Sequence, residues 1–104
     1  MAGVVIKVYH RTSAASAILA HGFRDGEGTY FTDKVWRGVW LSDVPLDINE
    51  GAAGDTVLVL DIPARVFRRY EWVEESKPYK ESLVPAAILN RYGSPRVRRK
   101  DWLL

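Results

Sequence analysis

The chain contains no cysteine, which excludes disulfides and thiolate metal sites alike. Histidine is almost as scarce. The two copies, His10 and His21, form no metal-ligand motif, so no metal is expected. No apolar run approaches the ~20 residues that a membrane-spanning helix needs. The opening residues 1–9 are too short for a signal peptide and lack its cleavage pattern. The expectation is a soluble, cytoplasmic protein without a membrane partner. Charge of one sign is also lacking: the formal net charge is +2, too small to select a class of partner. There is no Walker-type loop, no G-x-S-x-G elbow and no G-x-G-x-x-G turn, so the common phosphate and hydrolase motifs are absent.

What is present fits one domain over residues 1–104, since 104 residues leave no room for a second core. Hydrophobic residues make up 47% of the chain, which argues against disorder. Four Trp and five Tyr are many for this length; they build a core or form walls that stack on flat ligands. Basic residues crowd the C-terminal tail 91–104 as Arg91, Arg96, Arg98, Arg99 and Lys100, whereas acids gather at Glu71, Glu74 and Glu75. The tail reads first as a solvated segment or a charge-protected edge strand. It also leaves open an RNA contact through Arg96–Lys100.

Val4, Val5, Ile6 and Val8 are β-branched and, with Tyr9, predict a mostly buried first strand over 4–9. Thr12 or Ser13 then offers a cap for an Ala-rich helix reaching Ala20, with Gly22 as its stop and Phe23 packing back. Residues 24–29 read as a loop, 29–32 as a short strand, and 38–42 as another with Val39 and Leu41 opposite Trp40. Residues 47–55 read as an acidic loop. Residues 56–62 are the strongest strand, closed by Pro63 and followed by a helical turn over 64–69. Strands over 70–73 and 81–84 and a turn over 86–90 complete an α+β pattern with five or six short strands.

Three side chains stand out chemically. His10 sits where a strand meets a helix N-terminus, a corner suited to a polar or anionic ligand; it also fits an ordinary surface or core position. Trp40 either packs under a covering segment or lines a cleft, and Tyr30 and Trp36 share that ambiguity. Glu81 opens a strand, where it is simply exposed or stabilises a cation forming nearby. His21 reads as structural.

The order of these pieces resembles the His–Tyr–Glu branch of the ADP-ribosyltransferase superfamily, the diphtheria-toxin and PARP-like branch. Tyr9-His10-Arg11-Thr12 is similar to its H-G-[ST] motif, with Arg11 where the motif has glycine. Residues 13–23 resemble the A-x-x-I-L-x-x-G-[FL] stretch, and Gly38-Val39-Trp40-Leu41-Ser42-Asp43 resembles G-[IV]-Y-[FL]-[AS]-D, with Trp40 in place of tyrosine. Glu81-Ser82-Leu83-Val84-Pro85 resembles a late E-x-x-[VI]-P segment of small bacterial members. The resemblance implies an ADP-ribosyltransferase-like split, bent β-sheet with one main early helix and short helical turns, and NAD as co-substrate in the cleft between its halves. It implies that His10 bonds the adenosine ribose, Arg11 holds the nicotinamide amide through its backbone, and Thr12 supports that corner. It implies that Trp40 and Tyr30 are aromatic walls, that Ser42 lies in the cofactor site, and that Glu81 with His10 is catalytic.

The activity implied is mono-ADP-ribosyl transfer to a protein, nucleic acid or small molecule, in a toxin, antiphage or housekeeping role. The alternatives are a non-catalytic NAD- or ADP-ribose-binding module and an RNA 2′-phosphotransferase-like enzyme.

Overall fold

A computed structural model describes residues 3–29, 35–46, 54–73 and 76–98. The elements are β1 (Val5–Thr12), α1 (Ala15–His21), β2 (Gly26–Thr29), β3 (Val35–Ser42), β4 (Thr56–Pro63), α2 (Ala64–Arg69), β5 (Glu71–Trp72), β6 (Glu81–Val84), α3 (Ala86–Leu89) and β7 (Arg96–Val97), with a 3-10 turn at Asn90–Tyr92. Every strand pairing is antiparallel, in the order β5-β6-β3-β1-β4-β7, with β2 added on β3. The chain is therefore an α+β domain on an antiparallel sheet.

Alternation along the strands builds the core. Val8 of β1, Val39 and Leu41 of β3, Leu58, Leu60 and Ile62 of β4 and Val84 of β6 all leave one face of the sheet. Helices α2 and α3 cover that face with Val66, Phe67, Ala86 and Leu89, and α1 adds Ala15 and Ile18 at its margin. Each fully buried aliphatic side chain contributes about 1.5–3 kcal/mol of transfer free energy. Ser82 is fully buried on the same face, where its hydroxyl donates to the Phe67 carbonyl at 3.0 Å and so offsets its desolvation.

Two glycines shape the sheet. The first half of β3 pairs with β2 through Gly38, and the second half pairs with β6 from Val39 onward. At this changeover Gly38 has φ +151, and a Cβ there would press on the Leu83 side chain at 3.0 Å. Gly54, at φ +119, lies against the Thr12–Ser13 backbone, where a Cβ would overlap the Thr12 carbonyl carbon and come within 2.6 Å of its oxygen.

Several sequence expectations are revised. The first strand is not mostly buried: Val4 and Val5 are exposed, and of its own positions only Val8 and Thr12 are buried. Residues 24–29 read as loop because of two glycines and three charges, yet 26–29 form β2, since pairing with β3 supplies what local propensity does not. Thr12 does not cap α1 directly. Its Oγ1 accepts the Ala14 N–H at 2.9 Å, one position before the helix, in a hydroxyl turn. Among the described residues the sheet has seven strands, the basic segment supplying the short edge strand β7 on β4, in line with the edge-strand reading of that segment.

Candidate functional site

The strand β1 lies between β4 and β3, but the two contacts differ. With β4 it pairs along its whole length, from Val5–Pro63 to Thr12–Thr56. With β3 it pairs at Tyr9–Ser42 alone. Continuing that register would oppose Arg11 to Trp40, and no such pair forms. Instead the His10 side chain occupies the seam, with Nδ1 2.8 Å from the Trp40 carbonyl oxygen. A carbonyl only accepts, so Nδ1 carries the proton and Nε2 presents its lone pair. Burial lowers the His10 pKa below its ordinary 6.5, and the bond to Trp40 opposes that shift only in part. The ring is thus neutral near pH 7, a hydrogen-bond acceptor at Nε2.

A cleft of about 450 Å³ opens beside this ring, on the helix-covered side of the sheet. His10, Thr12, Ile18, Phe23, Gly38 and Val39 line much of it. The Phe23 ring meets the His10 ring edge-on, with centroids 5.7 Å apart. His21 and Arg24 also line the cleft, and among the described residues that line it none is acidic. The helix α1 has only seven residues, too short for its N-terminus to serve as the anion site expected from sequence. Its C-terminus follows expectation: Gly22, at φ +88, donates to the Ile18 carbonyl, and Phe23 is buried.

Segment 22–25 is held in place by the far end of the chain. The Asn90 side-chain amide pairs with the Phe23 backbone in both directions, accepting its N–H at 2.8 Å and donating to its carbonyl at 3.0 Å. Asp25 accepts the Ala86 N–H at 2.7 Å, at the start of α3. Sequence reasoning missed both residues. The signal available was that an Asx side chain stands near each helix end, where backbone groups need partners.

Arg11 turns away from the cleft. Its Nε donates to the Leu46 carbonyl at 2.6 Å and its Nη1 to the Gly54 carbonyl at 3.1 Å. The guanidinium therefore fastens both flanks of segment 47–53 to β1, and its side chain does not crowd the His10 corner.

Glu81 stands elsewhere. It is opposite Ser42 on one side and Trp72 on the other. Since Ser42 is opposite Tyr9, Glu81 projects to the Tyr9 face, whereas His10 projects with Val8 and Thr12 to the other. Its carboxylate is 3.3 Å from Lys77 Nζ and mostly shielded. The strand start is fixed by Asp43, which donates its N–H to the Lys80 carbonyl and accepts the Lys80 N–H at its carboxylate. Trp40 shares the Glu81 face, and its ring meets Trp72 edge-on at 5.5 Å. Ser42 is buried there, its hydroxyl donating to the Val44 carbonyl at 2.6 Å.

The sequence-selected residues thus form two sets on either side of one seam. His10, Thr12 and Trp40 line the cleft, while the Trp40 ring also meets Trp72 on the face that Ser42 and Glu81 share. Tyr30, Glu74, Glu75, Arg99 and Lys100 lie outside the described residues. In the basic segment, Arg96 is 3.5 Å from Asp61. Among the described residues no cluster of acids and histidines could hold a metal, and no helix is long and apolar enough to cross a membrane. No known family model matches the chain, and neither a curated protein nor a solved structure is similar enough to count as a match.

Proposed function

We propose that this domain binds NAD at the seam between β1 and β3 and transfers its ADP-ribosyl group to an acceptor. The observation that carries the reading is the parting of these strands beyond Tyr9–Ser42, with His10 Nδ1 engaged by the Trp40 carbonyl so that Nε2 is the acceptor. A parting of this kind supports an ADP-ribosyltransferase-like split sheet. In this reading a dinucleotide lying across the seam reaches both sets of residues.

In this reading His10 Nε2 accepts a hydroxyl of the adenosine ribose, and the Arg11 backbone holds the nicotinamide amide. Trp40 supplies a flat wall. The Glu81 carboxylate bonds the nicotinamide ribose and favours the positive charge that develops as the sugar–nitrogen bond breaks. The bonding pair leaves with nicotinamide, and the acceptor's nucleophile closes on the anomeric carbon.

One observation favours a second reading, binding without turnover. Glu81 leaves the opposite face from His10 and already has Lys77 as a partner. The two readings separate in one experiment: nicotinamide release and calorimetric NAD binding, measured for the wild type, Glu81→Gln and His10→Ala. Turnover that Glu81→Gln abolishes supports transfer. Binding without release supports the module. Absence of both removes NAD from the cleft.

A further inference from the structure

We propose that Asn90 is a positioning residue for the His10 cleft, acting through Phe23. The argument starts from what holds the cleft wall. Phe23 follows the end of α1, where no strand pairing supports its backbone. Its N–H and carbonyl are both engaged by the Asn90 side chain, much as a strand neighbour would engage them. The approach is close: a Cβ at Gly22 would lie 3.1 Å from Asn90 Oδ1, so residue 22 must be small for the amide to reach. Asp25 adds a second tie two residues on, at Ala86. The Phe23 ring, set by these bonds, meets His10 edge-on and closes one side of its environment.

The inference concerns His10, not stability alone. Phe23 is 4% exposed and excludes water from the imidazole, so an Asn90 that lets this wall drift also rehydrates His10. Among the described residues that line the cleft, the strands bring no charged side chain to the ring. Strand β4 brings Leu58 opposite, and β3 brings the Trp40 carbonyl. Among the described residues that line the cleft, His21 from α1 and Arg24 from the connecting segment are the other titratable or charged side chains. Both precede or follow the segment that Asn90 holds, so a displaced wall moves them as well.

The test needs no ligand, so it stands or falls separately from the NAD reading. In the folded wild type, the His10 ring is titrated by NMR while the Phe23 amide and the Asn90 side-chain amide are followed. Both amides are expected to shift with the His10 midpoint; amides that do not respond overturn the proposal. In Asn90→Ala the His10 midpoint is expected to move up toward 6.5. Ala64→Gly, which weakens α2 away from the cleft, is expected to leave it in place. An unchanged midpoint in Asn90→Ala, or an equal shift in Ala64→Gly, overturns the proposal. Should Asn90→Ala not fold, Asn90→Thr adds no charge, and its hydroxyl replaces the amide with a single shorter polar group. It is then read by the same criterion.

Discussion

Glu81 faces Ser42 across one ladder, and Ser42 faces Tyr9 across the single pair that joins β3 to β1, so the Glu81 carboxylate and the His10 imidazole leave the sheet on opposite sides. If transfer chemistry occurs here, the carboxylate must act from the Trp40 face and share itself between Lys77 and the sugar. Glu81→Gln, which preserves shape and removes charge, is then expected to slow nicotinamide release by about 10²–10³ while changing NAD affinity far less. Steady-state kinetics with separate calorimetry checks this. A rate equal to wild type excludes the carboxylate from the reaction.

The lowered pKa of His10 makes a pH prediction with a definite sign. In the unfolded chain the ring returns to about 6.5, above its folded value. Between the two values the unfolded state binds more protons, so stability rises with pH across that window. The contribution is complete above about 6.5 and is lost as pH falls through the window to the folded value. Urea midpoints measured from about pH 5 to 7.5 should show this slope in the wild type and lose it in His10→Gln. Ligand affinity should fall in the same direction, because a protonated Nε2 no longer accepts.

Arg11 holds two backbone carbonyls through one planar group. Arg11→Ala should lower stability by about 2 kcal/mol, the scale of charge-assisted bonds that are only partly shielded. Arg11→Lys should recover little, since a single ammonium lacks the fork that spans Leu46 and Gly54. Thermal melts of the three proteins decide it.

Gly54 and Gly93 separate backbone strain from steric overlap. Both have positive φ, +119 and +95, yet a Cβ at Gly93 meets nothing within 4 Å while one at Gly54 runs into Thr12 and Ser13. Gly93→Ala is expected to cost about 1–3 kcal/mol, the conformational penalty alone of an extended backbone at positive φ. Gly54→Ala should cost clearly more, about 3 kcal/mol or above, because strand β1 must also shift. Chemical denaturation of both variants tests the difference.

Much of the chain was readable locally. The turn at Pro63, the helix behind it and the strand Glu81–Val84 follow from short patterns, and Trp40 does project opposite Val39 and Leu41 as alternation required. Strand β2 was not readable, because Gly26 and Gly28 carry no strand propensity and depend on β3 for order. The faces of His10 and Glu81 were not readable either. Each strand's own alternation is local, but the relation between them passes through two registers, and a one-residue slip would reverse it. Asn90 and Phe23 are 67 positions apart, so no window along the chain holds both. Arg11 shows the same limit: it stands where the motif has glycine, and only the positions of Leu46 and Gly54 reveal where its side chain goes.

The same guanidinium has an engineering consequence. Because it grips Leu46 and Gly54 together, the ends of the intervening stretch are fixed to a core strand regardless of what joins them. Closure entropy grows by only about 0.6 kcal/mol for each doubling of a flexible loop. A change in the length of the join between these two anchors is therefore expected to cost little closure entropy while Arg11 holds them.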